Sequence, residues 1–377
     1  MLPCQPGHNM NRLTVVGIIL VEAVVLAPLT DKARPANRDP GTLEKSAEDR
    51  AQAIKLSAAR TASPSAHTMR LIRRTSRTAD APGAPLSPLG AAWLSRDRII
   101  IGDNNGQRIY VYDVTKATFS PILAHAQFDW PNDVRVVDSS IYVSDNRGLS
   151  KLSLDGRLEH TVRTFYQANS FAVSGDGTLW VNAYFAAFTP GRSLVVALDA
   201  NGIKKRGLGQ RSSDSVHGDW ANFAYLDASN ADIAVAHKFT PLVQVYGSNG
   251  VLVGDLWIDH PAFPALKALA HDKAYTDPAP GRMRLPSFLS GVRIVDNYLF
   301  IELDLPRPEV VVTPLTCVPC QPQHFIDSET LEDFSYRGFD VMKNSSGYSL
   351  CVLTGHPGRA YDILVYQISP IAAKAIH

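Results

Sequence analysis

The chain has 377 residues, 45% of them hydrophobic and 19% charged, with 25 Gly, 25 Pro and four Cys. A formal net charge of +1, with no Lys/Arg block on a strand or helix face, gives no footing to nucleic-acid binding by phosphate neutralisation. Four cysteines are too few to staple a chain this long, so stability must come from buried apolar surface, in one domain or two.

Arg12 followed by the apolar run Leu13–Leu29 has the layout of an export signal or a signal anchor. Glu22 interrupts the run and Pro28 directly follows Ala27, so no small-x-small cleavage site stands out. Cleavage and retention as a membrane tether therefore both stay open. Residues 1–30 are assigned to a signal peptide or anchor, and the protein is expected to be periplasmic, extracellular or membrane-anchored. Residues 31–68, rich in Ala, Arg, Ser, Pro and Thr, read as a disordered low-complexity linker with one helical stretch at Leu43–Ala59. Met69–Thr75 reads as a strand with no sequence neighbour to pair with.

From Leu89 the chain repeats one grammar: short β-branched and aromatic runs separated by Asp, Asn, Ser and Gly turns. The first unit offers Gly90–Leu94, Arg98–Gly102, Arg108–Asp113 and Phe119–Ala124. The second offers Val134–Val137, Ile141–Val143, Leu149–Leu154 and Arg157–Arg163, with Asp155-Gly156 as its strongest turn signal. The third is Ser170–Val173, Thr178–Ala183, Ser193–Ala200 and Ile203–Gly207. The fourth is Phe223–Leu226, Asp232–His237, Leu242–Tyr246 and Val251–Trp257. An insertion over 259–286 carries a helical pattern at Pro264–His271. The fifth unit is Gly291–Val295, Asn297–Leu303 and Glu309–Leu315, with an outer strand expected near Glu329–Tyr336. The sixth is Phe339–Lys343, Tyr348–Leu353 and Tyr361–Ile368.

The sixth unit is one strand short, and Met69–Thr75 is left over. Placing that strand beside Tyr361–Ile368 resolves both oddities by one closure and leaves only short, protected edges. The prediction is an all-β chain, a six-bladed β-propeller of four-stranded antiparallel blades over 69–377, closed by its N-terminal strand and expected to be a monomer.

Pro131-Asn132-Asp133-Val134 with Ile141-Tyr142-Val143-Ser144-Asp145-Asn146 resembles the repeat of six-bladed NHL and TolB-like propellers. The same residues resemble the group of senescence marker protein and gluconolactonase. Phe171-Ala172-Val173 with Gly177-Thr178-Leu179-Trp180-Val181 fits the pattern too. The lactonase group's resemblance implies a divalent cation, Ca²⁺ being suited to oxygen donors, held by one Glu, two Asn and one Asp. Asn132, Asn169, Asn222 and Asp340, with Asp133 in place of Asp340, would supply the Asn and Asp ligands. Ser87-Pro88-Leu89-Gly90 stands where that group's Glu opens the first blade.

In a propeller, the loop into each first strand and the loop between the second and third strands open on one face. That places Asn132, Asp133, Asn169, Asn222, Ser290 and Asp340 with Asp103-Asn104-Asn105, Asp145, Asn146, Asn182, His237-Lys238, Glu302, Asp304 and His356. Asn132, Asp133, Asn169, Asn222, Asp340, Asp145 and Asn146 are the candidate ligand-binding residues. At any single position, an Asn or Asp more often caps its own turn. Cys317-Val318-Pro319-Cys320 can be a redox dithiol, half a zinc site or a local disulfide, and export favours the disulfide. The five tryptophans are expected to pack blades.

No Gly-x-Ser-x-Gly elbow, phosphate loop or His-Glu-x-x-His helix is present, so no catalytic residue is assigned. The expected function is binding of a protein partner or small ligand at the channel face, with no cofactor required. The alternative is a Ca²⁺-dependent lactonase-like hydrolase.

Overall fold

The computed structural model describes residues 54–55, 67–78, 83–122, 128–163, 170–183, 193–211, 218–271, 285–317, 322–331, 335–356 and 360–369. Six sheets form a ring, each with four antiparallel strands in radial order. Blade 1 comprises Pro88–Ser95, Arg98–Asp103, Arg108–Asp113 and Thr118–Pro121; blade 2 comprises Asp133–Val137, Ser140–Asp145, Gly148–Ser153 and Leu158–Arg163. Blade 3 is Phe171–Val173, Leu179–Asn182, Ser193–Leu198 and Lys204–Gln210; blade 4 is Ala224–Ala228, Asp232–His237, Leu242–Gly247 and Leu252–Trp257. Blade 5 is Leu289–Val295, Tyr298–Leu303, Glu309–Pro314 and Gln323–Ile326; blade 6 begins with Ser335–Asn344, Gly347–Gly355 and Ala360–Ile368.

The alternation of side chains along a strand explains why the inner strands read as almost unbroken apolar runs. Ile99 and Ile101 join a cluster with Leu353, Tyr361 and Ile363 of blade 6, whereas Ile100 between them packs with Val134 and Val143 of blade 2. Each of the six blade-to-blade interfaces holds one such cluster, including that between blades 6 and 1. In four blades the first hairpin turns tightly: Ser95 pairs with Arg98, Val137 with Ser140, Val295 with Tyr298 and Asn344 with Gly347. In two of them Asp138 and Asp296 take positive φ, a conformation that favours two-residue hairpin turns.

Arg70–Thr78 runs antiparallel to Ala360–Ile368, with Arg70 opposite Gln367 and Thr78 opposite Ala360, as the outermost strand of blade 6. His67–Thr68 pairs in parallel with Phe325 and Ile326 of blade 5, so these two residues, assigned above to the linker, belong to a sheet. The outer strand of blade 5 also differs from expectation. It is Gln323–Ile326, whose Phe325 and Ile326 are buried; Ser335 and Tyr336 instead open the inner strand of blade 6. Four residues behind a proline give too short a run to outweigh the longer polar stretch that follows.

The insertion carries a helix, Phe263–Ala270, with Pro264 in its first turn, where a missing N–H costs nothing. It buries Phe263, Leu266 and Leu269 against blades 4 and 5, the Phe263 ring edge-on to Phe288 at 5.1 Å. Leu13–Leu29, Asn169, Cys320 and the Cys317 side chain lie outside the described residues, and Cys351 is a buried free thiol. Among the described residues no helix is long and apolar enough to cross a membrane.

Candidate functional site

The innermost strand of each blade has one edge without a ladder partner, so its N–H and C=O groups must be satisfied across the axis. Two arginines do much of this. Arg135 donates through Nε to the Phe171 carbonyl of blade 3 at 3.3 Å and through Nη2 to the Leu226 carbonyl of blade 4 at 3.2 Å. The same Nη2 lies 2.9 Å from Asp133 Oδ2. Arg293 donates through Nη1 to the Val292 carbonyl at 2.6 Å, through Nη2 to the Phe339 carbonyl of blade 6, and through Nε to Asp340 Oδ1 at 2.7 Å. Carboxylates stitch in the other direction: Asp340 Oδ2 accepts the Trp93 N–H of blade 1 at 2.7 Å, and Asp227 Oδ2 accepts the Ile294 N–H of blade 5 at 2.6 Å.

Burial dominates the electrostatics of these acids. It pushes Asp133 and Asp340 up to about 6, against the opposing pull of Arg135 and of backbone N–H groups. Asp227, which has no arginine in salt-bridge contact, is pushed up to about 7. Glu302, on the second strand of blade 5, is raised well above the carboxylate range by burial. Ser290 Oγ contacts its Oε2 at 2.8 Å, while its Oε1 is buried without a partner.

Above this plug lies a cavity of 280 Å³ lined by Leu89, Asn132, Asp133, Arg135, Phe223, Tyr225, Lys238, Ser290, Gly291, Arg293 and residues 336–339. It opens where the inner strands begin, and two glycines let neighbouring inner strands approach closely there. Gly90 holds φ +77°, and a Cβ there would stand 3.0 Å from the Asp133 backbone; a Cβ on Gly338 would stand 2.7 Å from the Ala91 nitrogen. Four cationic side chains and one carboxylate line the cavity. Arg135 and Arg293 are neutralised by Asp133 and Asp340. Lys238 lies over the Phe223 and Phe239 rings at 5.1 and 5.5 Å, and burial lowers its pKa against the pull of Asp304. Among the described residues the Arg337 side chain hydrogen-bonds the Ser87 hydroxyl alone, at 3.4 Å, and its pKa is likewise lowered by burial.

Of the residues singled out from sequence, Asn132 and Asp133 line this cavity and Asp340 sits directly behind it, bound to Arg293. Asp145 is elsewhere: its carboxylate accepts the backbone N–H groups of Asp129, Arg147 and Gly148, which is turn capping. Asn146 is exposed and bonds the Asp129 carbonyl through its own N–H. Asn222 is buried with its carbonyl accepting from Asn182 Nδ2, and it does not line the cavity. Asn169 lies outside the described residues. Sequence reasoning missed Arg135, Arg293, Arg337, Tyr225 and Asp227. A signal existed for two of them: Val134-Arg135-Val136-Val137-Asp138 and Val292-Arg293-Ile294-Val295-Asp296 repeat one pattern, a charge within a run otherwise apolar. The tryptophans divide: Trp93 and Trp180 pack blades, while Trp130, Trp220 and Trp257 are about half exposed.

The donor set does not fit a bound divalent cation. Both oxygens of Asp340 and both of Asp133 are engaged by arginine or backbone N–H groups. Asn132 presents its oxygen to Asn104 Nδ2 at 3.5 Å, and Asn222 does not line the cavity. A hard cation needs several free oxygens carrying net negative charge, whereas this cavity carries net positive charge. Among the described residues no group of three or more His, Cys, Asp or Glu is placed to hold a metal.

No family model matches the chain, and no curated protein matches it. Solved structures do match it in fold. A gluconolactonase from Xanthomonas campestris is 14% identical, with a TM-score of 0.47 over 79% of this chain and 91% of that one. A streptogramin B lyase is 10% identical, with a TM-score of 0.46 over 79% and 99%. A virginiamycin B lyase from Staphylococcus aureus is 7% identical, with a TM-score of 0.47 over 80% and 90%. What those proteins bind or turn over is said of them alone.

Proposed function

We propose that the chain is an exported binding propeller whose channel-mouth cavity takes a small ligand. The observation that carries this is a concentration of unsatisfied polar atoms. Asn132 Nδ2, Arg135 Nη1 and Glu302 Oε1 are each buried without a hydrogen-bond partner, and they belong to residues that line the cavity or bond one that does. Each such group costs about 1–3 kcal/mol, so a cluster of them at one mouth is a standing cost to the free protein. Polar groups converging beside the aromatic rings of Phe223, Tyr225 and Phe339 are what a small-molecule site needs. The volume suits a metabolite-sized molecule rather than a peptide segment.

Export is supported by the basic-then-apolar layout of Arg12 and Leu13–Leu29. N-terminal sequencing of the mature protein tests it, since a start at Met1 in a protein recovered from the cytosol would refute it. For the site, small molecules are screened by thermal shift against the wild type and against Leu89→Trp, which fills the cavity from its wall. Hits lost in L89W support the assignment. Hits retained there put binding elsewhere and overturn it.

A further inference from the structure

The cationic and orphaned groups at the cavity, Glu302 apart, offer hydrogen-bond donors. Lys238 and Arg337 have donors and no acceptor; the orphaned atoms of Asn132 and Arg135 are nitrogens. Among the described residues Lys238 has no side-chain hydrogen bond and no carboxylate within salt-bridge distance; the rings beneath it attract its charge without neutralising it. Asp304, whose field reaches Lys238, is committed to Lys55 Nζ at 3.0 Å and to the Ser287 hydroxyl. Arg337 has a single long contact to Ser87. The two arginines deeper in the channel each have a carboxylate and carbonyls to hold, so their charge has a structural use. The charges of Lys238 and Arg337 have none.

Resting on the reading of the cavity as a small-ligand site, we infer that its ligand is an organic acid. Lys238 and Arg337 engage the carboxylate, and Phe223, Tyr225 and Phe339 bracket a planar apolar body. A single negative charge fits better than two, because Asp133 also faces the cavity and Asp340 and Asp227 lie behind it. Desolvated donors in a partly enclosed space bind an oxyanion more strongly than water-exposed ones do.

The test uses the full chain and three probes of one shape: benzoate, neutral benzamide and cationic benzylamine, with inorganic phosphate as a fourth. Binding is followed by calorimetry and thermal shift. The expected result is protection by benzoate, about tenfold weaker binding of benzamide, and about tenfold loss of benzoate affinity in Lys238→Met and again in Arg337→Leu. Benzamide or benzylamine binding as tightly as benzoate, and lost in L89W, overturns the acid assignment while leaving the cavity as a ligand site. Phosphate protecting where benzoate does not overturns the carboxylate in favour of a free phosphate. No protection by any of the four overturns the inference outright. A ligand-free measurement stands beside these: K238M should raise the melting temperature, because it removes a desolvated cation that nothing neutralises. A lowered melting temperature would show that the amine serves the fold, and would overturn the inference even if ligand binding could not be read.

Discussion

Asp227 gives the most direct test of how the channel is built. Its carboxylate accepts the Ile294 N–H at 2.6 Å and no arginine forms a salt bridge with it, so burial raises it from 3.8 to about 7. A raised acid is more protonated in the folded than in the unfolded chain between those two values. Wild-type stability therefore falls as pH climbs from about 4 to 7. At about 1.4 kcal/mol for each pH unit of displacement the full cost of the charge would be about 4 kcal/mol, and water in the channel mouth screens this to about 2 kcal/mol. Asp227→Asn keeps an oxygen for Ile294 and never ionises. Any cost of leaving its amide donor unpartnered is the same at every pH. The expected result is a D227N protein that gains about 1 kcal/mol relative to wild type on going from pH 5 to pH 8, the part of the screened cost that falls between pH 5 and 7. Urea unfolding followed by tryptophan fluorescence at the two pH values reads it. An equal difference at both would mean that Asp227 is not held in a raised state and that the account of the channel is wrong.

The acid side behaves oppositely at Glu309. Burial pushes this carboxyl up, but hydrogen bonds and charge from His260 and His324 outweigh that and bring it to about 2 from 4.5. Its contribution is complete above pH 4.5 and lost as pH falls toward 2, so Glu309→Gln should cost about 3 kcal/mol near pH 6 and the gap should close in acid. A pH-independent gap in urea titrations would refute this. Arg293→Met leaves Asp340 without its cation and the Phe339 carbonyl without its donor, and should cost about 3 kcal/mol in the same assay, with R293K recovering only part because it lacks the planar fork. A loss below about 1 kcal/mol would count against the stitching role. Calcium chloride or a chelator should leave the melting temperature unchanged; a calcium-dependent rise abolished by Asn132→Ala would restore the metal reading.

The ring was legible because it is a property of repetition. Asp155-Gly156 and the Asp138 and Asp296 turns announce hairpins by local backbone chemistry, and both-faced burial turns the inner strands into visible apolar runs. The outer strand of blade 5 was not legible, since Gln323–Ile326 is four residues long and is held by pairing with Glu309–Val312 rather than by its own propensity. The site was legible only in part. Asn132, Asp133 and Asp340 sit at the mouth because the loops into the inner strands must open there, and any ring predicts as much. Asp145 carries the same residue type in a similar loop, yet it is used up capping backbone N–H groups. Whether a carboxylate caps a turn or faces a ligand depends on distances that no spacing encodes.

The same geometry explains why cations rather than anions define the mouth. Six inner strands converge with free carbonyls as well as free N–H groups, and a carbonyl can be satisfied only by a donor. Arg135 reaches two blades beyond its own with one guanidinium, which no neutral side chain of similar length could do. Each arginine brought in for this purpose then needs a carboxylate, and Asp133 and Asp340 supply it. This stitching is closed: its charges cancel and its donors are largely used. Lys238 and Arg337 stand outside it, in a wall that a leucine or methionine would fill at no cost to packing and with a gain in stability. Cations kept at such a position are the ones whose partner must arrive from outside the chain.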